Sequence, residues 1–257
     1  MAEINQTNVE RALGGCRWVQ HILTYDNVNS TMDVAREAAT SGAPEATVVM
    51  AACQSRGRGR LARSWSSPEG SLSLSILLYP SEDKLQSLTM MAGLAVARAI
   101  SDAALIQVDL KWPNDLLIRG RKVGGILVES GYVEGRQFAV IGIGINVNLD
   151  AMKFAEIADI ATSLSVESGA EVDVLKLLRG IIVEAEALYV NFNSQGIYNE
   201  WRQRLVTLGC RVTAVTGKAI IEGLAEDVKM DGSLIIRSDD GRSHNIIAGD
   251  VMLRHVS

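Results

Sequence analysis

Residues 108–112, 116–118, 123–128 and 138–143 form four short apolar runs, and the segments joining them are short and polar. Parallel neighbours need a crossover of roughly a dozen residues or more, usually a helix, and these connections cannot hold one. The stretch therefore predicts a largely antiparallel or mixed sheet backed by helices, an α+β fold, and argues against a doubly wound one. Two segments supply the backing. Residues 85–102 place Leu85, Leu88, Ala92, Ala95, Val96, Ala99 and Ile100 at helical spacing, and residues 174–192 carry Leu175, Leu178, Ile182, Ala185, Tyr189 and Phe192 along one stripe. A further helix starts at Ser30, where Ser30-Thr31-Met32-Asp33 offers an N-cap with an acid three residues on, and stops at Gly42 and Pro44.

After Trp201 and Leu208 the texture changes to short strands punctuated by Thr216-Gly217, Asp231-Gly232, Asp240-Gly241 and Ala248-Gly249-Asp250. This predicts a small barrel of roughly 50 residues, close to the lower size limit for independent folding, which leans on the larger unit. The expected division is residues 1–207 and 208–257. The chain is 47% hydrophobic, enough to bury a full core, yet no window approaches a membrane span and the N-terminus lacks a signal peptide's charge and apolar centre. The expectation is a soluble, cytoplasmic protein with no membrane partner.

Cys16, Cys53 and Cys210 are far apart and unpaired by any C-x-x-C spacing, and His21, His244 and His255 are equally scattered. Neither a disulfide framework nor a zinc site is indicated, and no metal ligands are assigned. A net charge of −5 opposes binding along a phosphate backbone and favours a small anionic ligand in a lined pocket.

The basic charge that does exist is concentrated in Gly57-Arg58-Gly59-Arg60-Leu61-Ala62-Arg63-Ser64-Trp65, after the apolar run 47–53 and Gln54. Glycines allow close backbone approach, and arginines supply planar, permanently charged donors for carboxylate and phosphate. A solvated turn or an RGG-like nucleic-acid grip fits the loop taken alone. Gly57-x-Gly59-x-x-Ala62 also satisfies a dinucleotide fingerprint formally. It fails on context, because it runs into Ser66-Ser67-Pro68-Glu69-Gly70 and an alternating strand instead of opening a helix.

Four segments together resemble the biotin-protein ligases: Asn29-Ser30-Thr31; Gln54 with Gly57-Arg58-Gly59-Arg60 and Trp65; Lys111-Trp112-Pro113-Asn114-Asp115 with Arg121-Lys122-Val123-Gly124-Gly125-Ile126-Leu127-Val128-Glu129; and Gly142-Ile143-Gly144-Ile145-Asn146-Val147-Asn148. The resemblance runs from about Tyr25 to Arg254. It implies a catalytic domain with the fold of class II aminoacyl-tRNA synthetases, a C-terminal SH3-like barrel, and a two-step ligation using ATP and Mg²⁺. Biotin becomes biotinyl-5'-AMP with release of pyrophosphate, and then passes to one lysine of a biotin carboxyl carrier domain. Only about two dozen residues precede Asp26, too few for a winged helix, so the resemblance is to the ligase-only form without a DNA partner. It leaves a homodimer open.

The same resemblance assigns roles. Lys122 and Arg60 stabilise the reacting phosphate, Ser30, Thr31, Gln54 and Arg58 pair the ureido ring, and Gly57, Gly59, Gly124 and Gly125 let backbone and ligand come close. Trp65, or Trp112, covers the adenine or the biotin chain. The resemblance also has Arg254 reach toward the nucleotide. From the residues themselves, Asn114, Asp115 and Asn146 are polar groups on or beside apolar strands, costly unless hydrogen-bonded or facing a ligand, so they are expected to orient ATP, its metal or the incoming lysine, with Asp115 positioning the acceptor amine. Plainer readings stand beside these: Ser30 as an N-cap, Lys122 as a turn lysine, Gly124-Gly125 as a bulge, Asp115 as a turn residue, Trp112 as core. Two departures occur. Ala62 stands where a third glycine is common, which removes the need for positive φ there, and Met32 stands where asparagine is frequent. A lipoate or octanoate ligase shares the fold, but its glycine-rich motif beside a histidine is missing here. A nucleic-acid-binding module built on the arginine loop is the alternative from another class.

Overall fold

The computed structural model describes residues 4–149, 160–217 and 219–253. Among these, the larger sheet has seven strands: β1 (His21–Val28), β2 (Thr47–Gln54), β3 (Ser71–Leu78), β4 (Asp109–Lys111), β5 (Asp115–Ile118), β6 (Arg121–Val133) and β7 (Arg136–Asn146). Their order is β1-β2-β3-β7-β6-β5-β4. The run of strands from β4 to β7 pairs antiparallel, as the short connections require. β1 and β2 pair parallel, and the segment between them contains helix α2 (Thr31–Thr40), so the sheet is mixed. β1 is a largely exposed edge without clean alternation, and neither it nor helix α1 (Gln6–Leu13) has a strong sequence signature.

β3 shows how the sheet sorts its two faces. Leu72, Leu74, Ile76 and Leu78 enter the main core, which they share with helices α3 (Glu82–Ala104) and α5 (Val174–Val190). Ser73 and Ser75 point the other way, toward α2, where they hydrogen-bond with Gln54 and Thr31. Both helices sit where the periodicity predicts them, although α3 is longer at each end and Phe192 falls beyond the end of α5. They approach closely at Gly180, where a Cβ would lie 3.2 Å from that of Ala99. Each fully buried Leu or Ile of α5 contributes about 1.5–3 kcal/mol, so this packing anchors the sheet from behind.

Helix α4 (Leu164–Ser168) precedes α5, and helix α6 (Ser194–Arg204) leads to the second sheet. That sheet is antiparallel, with β8 (Arg211–Thr216), β9 (Ala219–Val228), β10 (Leu234–Arg237), β11 (Ser243–Ile246) and β12 (Asp250–Leu253) in the order β11-β10-β9-β8-β12. It rests on the larger unit. Trp112 Nε1 donates to Gly232 O at 2.8 Å, Tyr198 Oη donates to Val228 O at 2.7 Å, and Val212, Ala214, Leu234 and Ile236 join the main core. Trp112 is 1% exposed and joins the two sheets, and it also borders the cavity that holds the candidate site, so its core reading and its place at the site hold together.

Candidate active site

One cavity gathers α2's first residues, the arginine loop, the β4–β5 connection, β6, β7 and the β11–β12 turn. Its floor is β7, where glycine alternates with isoleucine. A Cβ at Gly144 would stand 2.5 Å from Trp65 Cε2, and one at Gly142 would stand 2.6 Å from Met32 Sδ. Absent side chains at these two positions let Trp65 and Met32 lie directly on the sheet. Met32 therefore has a packing reason that the usual asparagine would not serve.

At one end the cavity is neutral and polar. Ser30 caps α2, its Oγ accepting from Met32 N at 3.3 Å, and it also lines the cavity, so its two readings hold together. Thr31 N donates to Gln54 Oε1 at 2.8 Å, and Thr31 Oγ1 lies 2.8 Å from Ser75 Oγ. Gln54 Nε2 in turn donates to Ser67 Oγ at 2.9 Å and Ser73 Oγ at 3.3 Å. This hydroxyl and amide network suits a ligand head with both donors and acceptors and no charge.

The opposite end is cationic. β5 and β6 change register between Leu116 and Leu117, pairing Leu116 with Gly124 and Leu117 with Lys122, so Val123 is the extra residue of a β-bulge. The bulge brings Lys122 beside Gly125, where a Cβ would meet its Nζ at 3.7 Å. Lys122 Nζ lies 2.5 Å from Asp115 Oδ1 and 5.6 Å from the centroid of the Trp65 ring. Its backbone is tied to residues beyond β7, with Lys122 N donating to Ile160 O and Thr162 N donating to Lys122 O, both at 2.8 Å.

The arginine loop closes over this end. Trp65 N donates to Gly57 O and Gly59 N to Arg63 O, each at 2.8 Å, around a 3-10 turn at Arg60–Ala62. The left-handed residue is Leu61, with φ of 54°, one position before Ala62. Arg60 Nη1 donates to Gly249 O at 3.3 Å, and Arg63 pairs with Asp250, so the second sheet holds the loop. Burial pulls the Arg60 guanidinium below the ordinary arginine range, against the opposing pull of Asp115 and Asp250.

The structure distributes the expected residues unevenly. Ser30, Thr31, Gln54, Arg58, Gly59, Arg60, Trp65, Asn114, Asp115, Lys122 and Gly125 all line the cavity. Three others do not. Gly57 is buried, and a Cβ there would strike Trp65 O at 2.4 Å, so its role is to close the loop. Gly124 faces away, where a Cβ would meet Gly144 O at 2.7 Å. Asn146 is buried, with Nδ2 donating to Thr162 O at 3.0 Å. Arg254 lies outside the described residues.

Residues 25–146 match the Biotin/lipoate A/B protein ligase family, and residues 207–254 match the Biotin protein ligase C terminal domain. The bifunctional ligase/repressor BirA of Bacillus subtilis is 38% identical over 230 residues, which is 86% of this chain and 71% of that protein. The chain belongs to the biotin protein ligase family. A second relative, the biotin--[acetyl-CoA-carboxylase] ligase of Paracoccus denitrificans, is 35% identical across 76% of this chain and 85% of its own. Among solved structures, the biotin protein ligase of Aquifex aeolicus in complex with biotin and ATP superposes with a TM-score of 0.76 at 30% identity, covering 92% of this chain and all of that one.

Sequence reasoning about this biotin ligase family member missed Gly142, Gly144, Gly249 and Asp250 as parts of the site. Alternating glycines inside the apolar strand β7 were the available signal for close approach. Nothing local marks Gly249 and Asp250, which reach the cavity only through the docking of the second sheet.

Proposed function

We infer that this chain is an ATP-dependent biotin-protein ligase. It activates biotin to biotinyl-5'-AMP and then transfers the biotinyl group to a lysine of a biotin carboxyl carrier domain. The observation that carries this reading is a single cavity with a neutral hydroxyl and amide network at one end and Lys122 with Arg60 at the other. A neutral urea fits the first end, and an acid chain leads from it to the second.

In the first step a biotin carboxylate oxygen attacks the α-phosphorus of ATP, and the bond to the β-phosphate breaks to release pyrophosphate. Two anions must meet, so fixed cations that need no reorganisation lower the barrier most. Lys122, held by Asp115, and Arg60, partly desolvated, are the cations that would serve that role. Trp65 Nε1 is buried with no hydrogen-bond partner among the described residues, a donor that a ligand oxygen would satisfy. In the second step the acceptor amine attacks the acyl carbon, AMP leaves, and the amine gives up a proton. Asp115 is the carboxylate beside the reacting end that can orient this amine.

Magnesium would accompany ATP as the counter-ion of its phosphates, where it would neutralise part of their charge. Among the described residues no cluster of three or more His, Cys, Asp or Glu side chains is arranged to hold a metal ion. Two finer readings go with this function. The larger unit belongs with the class II aminoacyl-tRNA synthetase fold, and the five-stranded antiparallel sheet is an SH3-like barrel, with the boundary near residue 207. Among the described residues no helix is long and apolar enough to cross a membrane, which fits a cytoplasmic enzyme.

Incubation of the protein with biotin, ATP, Mg²⁺ and a biotin carboxyl carrier domain tests the reading. One acceptor lysine should gain one biotinyl group by intact mass. An acceptor that stays unmodified here, while a control ligase modifies it in a parallel reaction, would overturn it.

A further inference from the structure

Arg58 lines the cavity, yet its charge is spent elsewhere. Its Nη1 donates to Asp33 Oδ1 at 2.7 Å and its Nη2 to Glu129 Oε2 at 3.3 Å. Arg36 Nη1 donates to the same Asp33 oxygen at 3.1 Å, and Arg36 Nη2 pairs with the same Glu129 oxygen. Two guanidinium groups and two carboxylates thus close a ring of zero net charge, joining α2, the arginine loop and β6. Arg58 alone of the four faces the cavity.

β6 shows where this ring sits. Glu129 lies seven residues after Lys122, roughly 20 Å along the strand, on the same face as Gly125 and Leu127, which line the cavity. The ring therefore stands at the α2 end, beside Ser30 and Thr31, with its Glu129 at the other end of β6's cavity face from Lys122. The two ends differ in net charge. Lys111, Lys122 and Arg60 with Asp115 leave two positive charges, while Arg63 is matched by Asp250. At the α2 end Arg58 and Arg36 are matched in full by Asp33 and Glu129.

We propose that Asp33 and Glu129 determine specificity: by cancelling the charge of Arg58 they make this end of the cavity accept a neutral polar head and refuse an acidic one. An uncompensated guanidinium here would recruit a second carboxylate, and the cavity would then hold diacids lengthwise between its two cationic ends. The compensated ring leaves the hydroxyl and amide network to select the head. This inference rests on the reading that the head lies at the α2 end.

Calorimetric titration with sebacate, a linear dicarboxylate, and decanoate, its monocarboxylate counterpart of equal chain length, tests it without requiring turnover. Asp33→Asn with Glu129→Gln keeps an acceptor oxygen at each position and removes only charge. This double variant should bind sebacate about tenfold or more tighter than the unaltered protein, with decanoate unchanged. Adding Arg58→Met should abolish the gain. Each single substitution, which keeps one carboxylate and so guards against a folding failure of the pair, should raise the sebacate-to-decanoate ratio part of the way. Equal gains for both acids, no gain, or a gain that survives Arg58→Met would overturn the proposal. Failure of the protein to activate biotin would count against the catalytic reading instead, and would leave the measured acid ratio to decide this one.

Discussion

Replacing Asp115 by Asn separates two roles that the site gives this carboxylate. Asn keeps the size and one acceptor oxygen but removes the charge that faces Lys122 Nζ at 2.5 Å. At that distance two unit charges attract by about 7 kcal/mol at an effective dielectric of 20, and by about 2 kcal/mol in water. The side chains of Lys122 and Asp115 retain 35% and 21% of their exposure, so solvent screening brings the net value down to about 1–2 kcal/mol. If that energy holds Nζ at the reacting phosphate, adenylation should slow by roughly five- to thirtyfold, in kcat more than in the KM for biotin. Biotin-dependent pyrophosphate release measures this step alone. Transfer from preformed biotinyl-5'-AMP to the carrier domain measures the second. Adenylation within about twofold of the unaltered enzyme, combined with slow transfer, would refute the positioning of Lys122 by Asp115 and leave only the role toward the amine.

Arg60→Gly removes a cation and loosens the loop over the reacting end, so biotinyl-5'-AMP should escape faster and label bystander lysines; unchanged retention would remove Arg60 as the anchor. Gly144→Ala places a methyl 2.5 Å from the rigid Trp65 ring, and the resulting overpacking should cost about 1–3 kcal/mol, seen as weaker biotin binding with a shift in tryptophan emission. Glu200 lies on α6 and its carboxyl is held below the usual glutamate range, chiefly by its hydrogen bond to Arg98 of α3. Because the folded value is the lower one, this stabilisation is complete above the ordinary glutamate range and is lost as pH falls through the lowered value. Glu200→Gln should therefore lower the melting temperature at neutral pH and narrow the gap to the unaltered protein in acid; a constant gap would contradict the linkage.

The parts of this molecule written in local pattern were legible in its sequence. The capping residues at Ser30, the apolar stripes of α3 and α5, and the short connections from β4 to β7 each declare one element or one pairing. The loop glycines were legible as glycines, though not by their reason: Gly57 serves through the side chain it lacks, and the left-handed residue is Leu61. Asn146 looked like a ligand contact because it is polar in an apolar strand, and a backbone carbonyl at Thr162 satisfies it instead. The ring of Asp33, Arg36, Arg58 and Glu129 spans three elements and leaves no periodicity, so only the fold brings it together. The same holds for Asp250, more than 180 residues from its partner Arg63.

The central claim is that one end of the cavity selects a neutral ureido head while the other activates the acid. The most direct test is ATP-dependent pyrophosphate release with biotin, lipoate and octanoate supplied in turn. A site whose buried donors and acceptors pair the head should favour biotin by roughly 10⁴-fold or more, whereas a generic apolar slot would discriminate by only about 10- to 200-fold. A decisive preference for biotin is the predicted result. Faster release with lipoate or octanoate would contradict the account and assign the cavity to an acid without that head.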